Sequence, residues 1–129
     1  MSESGDIQGV VLGHGEMAHG LVGAALRISG ASQDVLLPVS NDGKSPGILQ
    51  EEIREILRTG PTLVFTDLPS GSCALAARVC CRENPDSAVI FGVNLPMLLD
   101  FLFHRELPMN ELVPRLLEKG RASMTGVPE

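Results

Sequence analysis

Two of the chain's three histidines, His14 and His19, flank a glutamate in the stretch GHGEMAHG at residues 13–20. Such a segment could serve a metal site, a phosphate-binding glycine turn or a histidine nucleophile. A helical zinc pair needs its histidines about one turn apart, so that both point the same way. His14 and His19 are five positions apart, which separates them by about 140° around a helix, and His104 lies far along the chain. No metal is expected on that set. The segment also lacks the G-K-[ST] ending of a P-loop. Gly13, Gly15 and Ala18 do match the small-residue places of a dinucleotide fingerprint, with Asp34 as its acidic residue. A histidine inside that turn, however, would crowd a pyrophosphate.

The nucleophile reading fits the residue types better. The glycines on either side of His14, Gly13 and Gly15, let the backbone turn sharply and leave the imidazole open to a large partner. A histidine nucleophile presents one neutral ring nitrogen while an acceptor holds the other and fixes the tautomer. Asp67 is the natural acceptor. The loop LPSGSC that follows it runs into a helix, so Gly71, Ser72 and Cys73 are candidates to offer backbone N–H groups and a hydroxyl to a phosphoryl oxygen. The residues alone leave open the alternative that His14 only fills a turn and that Asp67 caps the next helix.

The elements that must position these groups alternate. Residues 7–12, 35–39, 62–66 and 88–93 are short apolar runs, read as buried strands. Between and after them, residues 16–28, 48–57, 73–82, about 94–102 and 109–122 carry apolar residues at helical spacing, with Gly30, Gly60-Pro61 and Asn84-Pro85 as stops. Apolar, non-alternating strands separated by helices imply an α/β fold: an open, doubly wound sandwich with a central, mostly parallel four-stranded sheet and helices on both faces. In such sheets ligands bind beyond the carboxyl ends of the strands, where the strand order reverses. Residues 13–15, 38–44, 67–72 and 92–96 all reach that edge, which places His14, Asp67, Asn94 and Pro96 along it.

Composition bounds what remains. A chain of 129 residues is most simply one domain, 1–129, with flexible tails expected at 1–6 and 125–129. A net charge of −6, scattered basic residues and the lack of Trp and Tyr argue against nucleic acid. No apolar run reaches the roughly 18 residues of a membrane helix, so no membrane insertion is expected. The N-terminal residues do not read as a signal peptide. Cys73, Cys80 and Cys81 are an odd, closely spaced set that reads as small buried thiols in a reducing compartment, hence a cytoplasmic protein.

Three segments together resemble a known family. VVLGHGEMAHGL at residues 10–21, VFTDLPSGSC at 64–73 and GVNLPMLLDFL at 92–102 are similar, in order, to the motifs of the IIA component of the mannose-type sugar phosphotransferase system. The likeness runs from about residue 9 to 124. It implies a cytoplasmic homodimer, without cofactor, in which His14 takes a phosphoryl group from the phosphorylated carrier protein HPr. The group then passes to a IIB component that phosphorylates sugar at the membrane permease. The family aspartate maps onto Asp67 and its loop serine or threonine onto Ser72. Met17 at the start of the first helix is expected to form part of an apolar docking rim for HPr.

The likeness has departures. Ser70 stands where the first glycine of a pair is usual, Pro69 precedes it, and Cys73 replaces a proline. These bear on loop geometry and IIB recognition more than on His14. The family's exchanged C-terminal strand is in doubt with only five residues after Met124, and a IIB acceptor would be a separate chain. Two other roles stay open at this level: a regulatory phosphohistidine module, and the IIA-like subunit of a dihydroxyacetone kinase.

Overall fold

A computed structural model describes residues 6–128. Four strands form one sheet: β1 (Gln8–Gly13), β2 (Leu36–Ser40), β3 (Thr62–Thr66) and β4 (Ser87–Phe91). They lie in the order β2-β1-β3-β4, and every neighbouring pair is parallel. Five α-helices accompany them: α1 (Met17–Ser29), α2 (Pro46–Leu57), α3 (Ser72–Arg82), α4 (Leu95–Leu102) and α5 (Met109–Ala122). A single 3₁₀ turn, Gln33–Val35, leads into β2. The expected α/β sandwich is present, and its sheet is parallel throughout.

Successive strand residues point to opposite faces, and the two cores follow that alternation. Val11, Leu63, Phe65 and Ile90 face α1, α4 and α5, where they meet Val22, Leu98, Phe101 and Leu116. Phe65 and Phe101 meet edge to face at 5.4 Å between ring centroids. Val10, Leu12 and Val64 face the other way, against Leu49, Ile53, Ala76, Ala77 and Cys80 of α2 and α3. Burial on both faces explains why each strand reads as an unbroken apolar run.

Local chemistry sets the helix starts. Ser45 caps α2 by accepting from the N–H of Ile48, with Pro46 at the first helical position, where a missing N–H costs nothing. Asn94 does the same for α4, its Oδ1 accepting from the N–H of Met97. The Nδ2 of Asn94 also donates to the carbonyl of Gly120, which ties the end of α5 to this edge of the sheet. Asp100, buried on α4, receives Arg115 through two nitrogens, at 2.8 and 3.3 Å, joining α4 to α5.

The strand order reverses between β1 and β3. From β1 the chain moves to β2 on one side, then returns to place β3 on the other. The carboxyl ends of β1 and β3 are therefore adjacent at the switch point. Their pairing continues past the last strand residue, with the Asp67 N–H donating to the Leu12 carbonyl at 3.2 Å. Of the tails expected at 1–6 and 125–129, residues 1–5 and 129 lie outside the described residues. Residues 125–128 are irregular and exposed.

Candidate active site

β1 ends at Gly13 and β3 at Thr66, so His14 and Asp67 are the first residues beyond two neighbouring strands. Their side chains meet. The His14 Nδ1 lies 2.7 Å from Asp67 Oδ2, and the His14 backbone N–H donates to that same oxygen at 2.9 Å. The aspartate side chain is 6% exposed and the imidazole 44%. A buried carboxylate thus grips the inner ring nitrogen while the rest of the ring faces outward. Burial pushes the Asp67 carboxyl up, but the two bonds from His14 outweigh it and hold the group below the usual carboxylate range.

The turn that carries His14 is braced by β2. Gly15 has φ 59°, a left-handed conformation that favours glycine. Its carbonyl accepts from the Ser40 hydroxyl at 2.8 Å, and the Asn41 N–H donates to the Gly13 carbonyl. Met17 opens α1 two residues further on and is 43% exposed. Helix α1 begins at Met17 rather than Glu16, which occupies the cap position without a side-chain cap.

The loop after β3 supplies the other wall. Gly71 is the cap residue of α3, at φ 96° and ψ −174°, and a Cβ there would sit 3.6 Å from His14 Cε1 and 3.7 Å from Nε2. Ser72, Cys73 and Ala74 begin the helix, so their N–H groups have no partner within it and form the positive end of its dipole beside the imidazole. The Ser72 hydroxyl accepts from Asn41 Nδ2 at 3.1 Å, which leaves its own proton free to donate elsewhere. Cys73 is buried, with Sγ 3.9 Å from His14 Nδ1, and burial followed by the charge of Asp67 pushes its thiol up to about 11.

Other residues of interest fall into place around this centre. Pro69 and Ser70 form the exposed outer part of the loop, with the Pro69 carbonyl accepting from Arg78. Asn94 and Pro96 begin α4 at the same edge. Asn94 shares a cleft of about 310 Å³ with Asp67, Gly92, Met97 and Arg121. His19 is exposed on α1, away from the Asp67 contact. His104 is half-buried, packed on the carbonyl of Asp100 at the end of α4. Ser40 and Asn41 were not singled out by the sequence beyond their place in the segment 38–44. Their partners, Gly15 and Ser72, are 25 and 31 residues distant, and no local pattern marks them.

The structure is an open α/β domain whose parallel four-stranded sheet carries a histidine–aspartate pair at its switch point. The chain belongs to the EIIA-man family, described as the fructose IIA component of the phosphotransferase system, whose model matches residues 9–117. Solved structures have the same fold. The phosphotransferase system component EIIA from Streptococcus agalactiae is similar with a TM-score of 0.86 at 20% identity, over 93% of this chain and 96% of that one. The mannose/sorbose specific IIA subunit from Enterococcus faecalis gives 0.81 at 22% identity, over 96% of each chain. The IIA protein associated with the fucose utilization operon of Streptococcus pneumoniae gives 0.82 at 18%, over 97% of this chain and 96% of that one. No curated protein matches the sequence. Among the described residues, no helix is long and apolar enough to cross a membrane.

Proposed function

We propose that this protein is a phosphocarrier of the phosphoenolpyruvate-dependent sugar phosphotransferase system. His14 accepts a phosphoryl group from phospho-HPr and passes it to a IIB component during sugar uptake. Membership of the IIA family supports the phosphotransferase role in general terms. The observation that carries the specific reading is the double hold of Asp67 on His14, which keeps the proton on Nδ1 and leaves the Nε2 lone pair as the nucleophile.

The reaction is an in-line displacement at phosphorus, with charge spread over the equatorial oxygens. Nε2 attacks as the bond to the donor histidine breaks, and the imidazole becomes cationic. Asp67, already ionised, stabilises that cation and fixes the ring plane. The phosphoryl oxygens take hydrogen bonds from the Ser72 hydroxyl and from the free N–H groups at the start of α3, arranged before the group arrives. Gly71 keeps space open beside the ring for these oxygens to approach. In the return step the IIB nucleophile attacks phosphorus and Nε2 leaves as a neutral nitrogen.

A cytoplasmic homodimer is part of this reading. Met17, three residues after His14, and Leu68, next to Asp67, are exposed and offer apolar contact to the carrier partners. The test is phosphorylation from phosphoenolpyruvate with the general carrier enzymes, comparing the wild type with His14→Ala. The expected product is an acid-labile, alkali-stable adduct that the variant lacks. A folded protein that takes no phosphoryl group from a cognate HPr would end this reading.

A further inference from the structure

We propose that His14, Asp67 and Cys73 together form a binding site for a zinc-type transition metal ion, and that occupation of this site silences the histidine. The inference goes beyond the phosphocarrier reading and stands without it, because it concerns binding of the ion itself. It also departs from the expectation drawn from the histidine spacing. The ligand set is not His14 with His19 but three residues from two neighbouring strand ends and a helix start.

The geometry is that of a small chelate. One ligand atom from each residue lies within 4.8 Å of the other two. Asp67 Oδ2 is 2.7 Å from His14 Nδ1, and Cys73 Sγ is 3.9 Å from the same nitrogen. Zinc bonds of about 2.0–2.3 Å in a tetrahedral site put neighbouring ligand atoms about 3.3–3.8 Å apart. The oxygen–nitrogen pair has to open and the sulfur–nitrogen pair to close, each by less than about 1 Å. His14 is 44% exposed while Asp67 and Cys73 are buried, and three protein ligands leave a fourth tetrahedral position for water.

A second observation points the same way. Asp67 Oδ1 is buried and has no hydrogen-bond partner among the described residues. With one oxygen unpartnered and the side chain 6% exposed, the Asp67 charge is poorly compensated, and a cation held on Oδ2 offsets it. The donor set selects the ion: one thiolate and one imidazole with a single carboxylate suit Zn²⁺ and its neighbours, not Mg²⁺ or Ca²⁺.

The chemical balance explains the silencing. The ion takes the lone pair of Nδ1, so the single ring proton of the neutral imidazole moves to Nε2. Cys73 releases its thiol proton to solvent, and Asp67 exchanges its bond to the ring N–H for a bond to the metal. One proton leaves per ion bound. With a proton on Nε2, the ring has no lone pair to offer phosphorus.

The experiment is a titration of the full chain with Co²⁺ as the spectroscopic stand-in, followed by competition with Zn²⁺. The site predicts a thiolate-to-cobalt charge-transfer band, tetrahedral visible bands, one proton released per ion and displacement by Zn²⁺. Cys73→Ser should remove the thiolate band, whereas Cys80→Ser and Cys81→Ser should keep it. Cys73 is buried, so His14→Gln on the exposed edge serves as the second variant. It should weaken cobalt binding by about 100-fold, the upper end of what even supporting partners contribute. Absence of the band, or its survival in Cys73→Ser, would overturn the site. If the band forms but Zn²⁺ leaves phosphorylation of His14 unchanged, the site stands and the silencing is wrong.

Discussion

Asp67 Oδ2 accepts two hydrogen bonds from a single residue, His14, one from the ring at 2.7 Å and one from the backbone at 2.9 Å. The aspartate therefore fixes both the turn and the tautomer. Asp67→Asn keeps the shape but offers only one accepting oxygen and no charge to an imidazolium. Phosphorylation should slow by about 100-fold or more, within the range of a positioned proton-holding group. Stopped-flow transfer from phospho-HPr measures it, and a variant as fast as wild type would remove Asp67 from the mechanism.

Asn41 Nδ2 donates to the Ser72 hydroxyl at 3.1 Å, which leaves the hydroxyl proton for the phosphoryl group in the proposed mechanism. If Asn41 acts through Ser72, the two substitutions Asn41→Ala and Ser72→Ala should not add. Each alone should slow transfer by about 10-fold, with the double variant no slower than Ser72→Ala. Asn41→Asp should do more harm than Asn41→Ala, since a carboxylate would draw the hydroxyl proton to itself and repel the phosphoryl group. Additive losses in the cycle would mean that Asn41 works independently of the serine.

Gly71 has a backbone conformation that L-residues rarely adopt. Gly71→Ala should cost about 1–3 kcal/mol of stability from strain alone. The new methyl would also sit in van der Waals contact with the imidazole, 3.7 Å from Nε2, where the proposed mechanism needs room for phosphoryl oxygens, so transfer should fall further than the stability loss explains. Chemical denaturation and phosphorylation kinetics on the same preparation separate the two effects.

The lowered carboxyl of Asp67 sets a pH dependence. A carboxyl held below its unfolded value, about 3.9 for aspartate, stabilises the fold above that value. The contribution declines as pH drops below it and is gone once pH passes beneath the folded value. Asp67→Asn should therefore flatten the acid limb of the stability profile relative to wild type, with the two curves converging in strong acid. Parallel curves over that window would show that the pair contributes nothing to folding.

Much of this architecture was legible because the physics is local. Residues 62–66 read as a strand and are β3 without a shift, since every one of them is buried. The expected fourth strand ran to residue 93, whereas β4 ends at Phe91. Gly92, at φ 85°, turns the chain out of the sheet, though Gly92 and Val93 still donate to the Thr66 carbonyl. The turn Gln33–Val35 was not visible, because three residues without apolar periodicity leave no pattern. At the site, His14 and Asp67 stood out by residue type and by their places at strand ends. Asn41 did not, because a polar residue in a turn looks like solvent-facing chain until the fold brings Ser72 to it. Cys73 reads as a small buried thiol whose backbone N–H is a candidate donor to a phosphoryl oxygen. Buried it is, but a helical pattern gives no hint that its sulfur touches the imidazole.

The central position of β1 has a consequence for how the molecule is made. His14 emerges early in synthesis, but Asp67 follows 53 residues later and takes its place only when β3 docks against β1. Until that long-range parallel pairing forms, His14 has no carboxylate partner. A chain released or stalled before β3 carries the histidine but not the machinery. Labelling at His14 would therefore report the docking of β3 against β1, an internal stamp that no fragment ending before β3 could acquire.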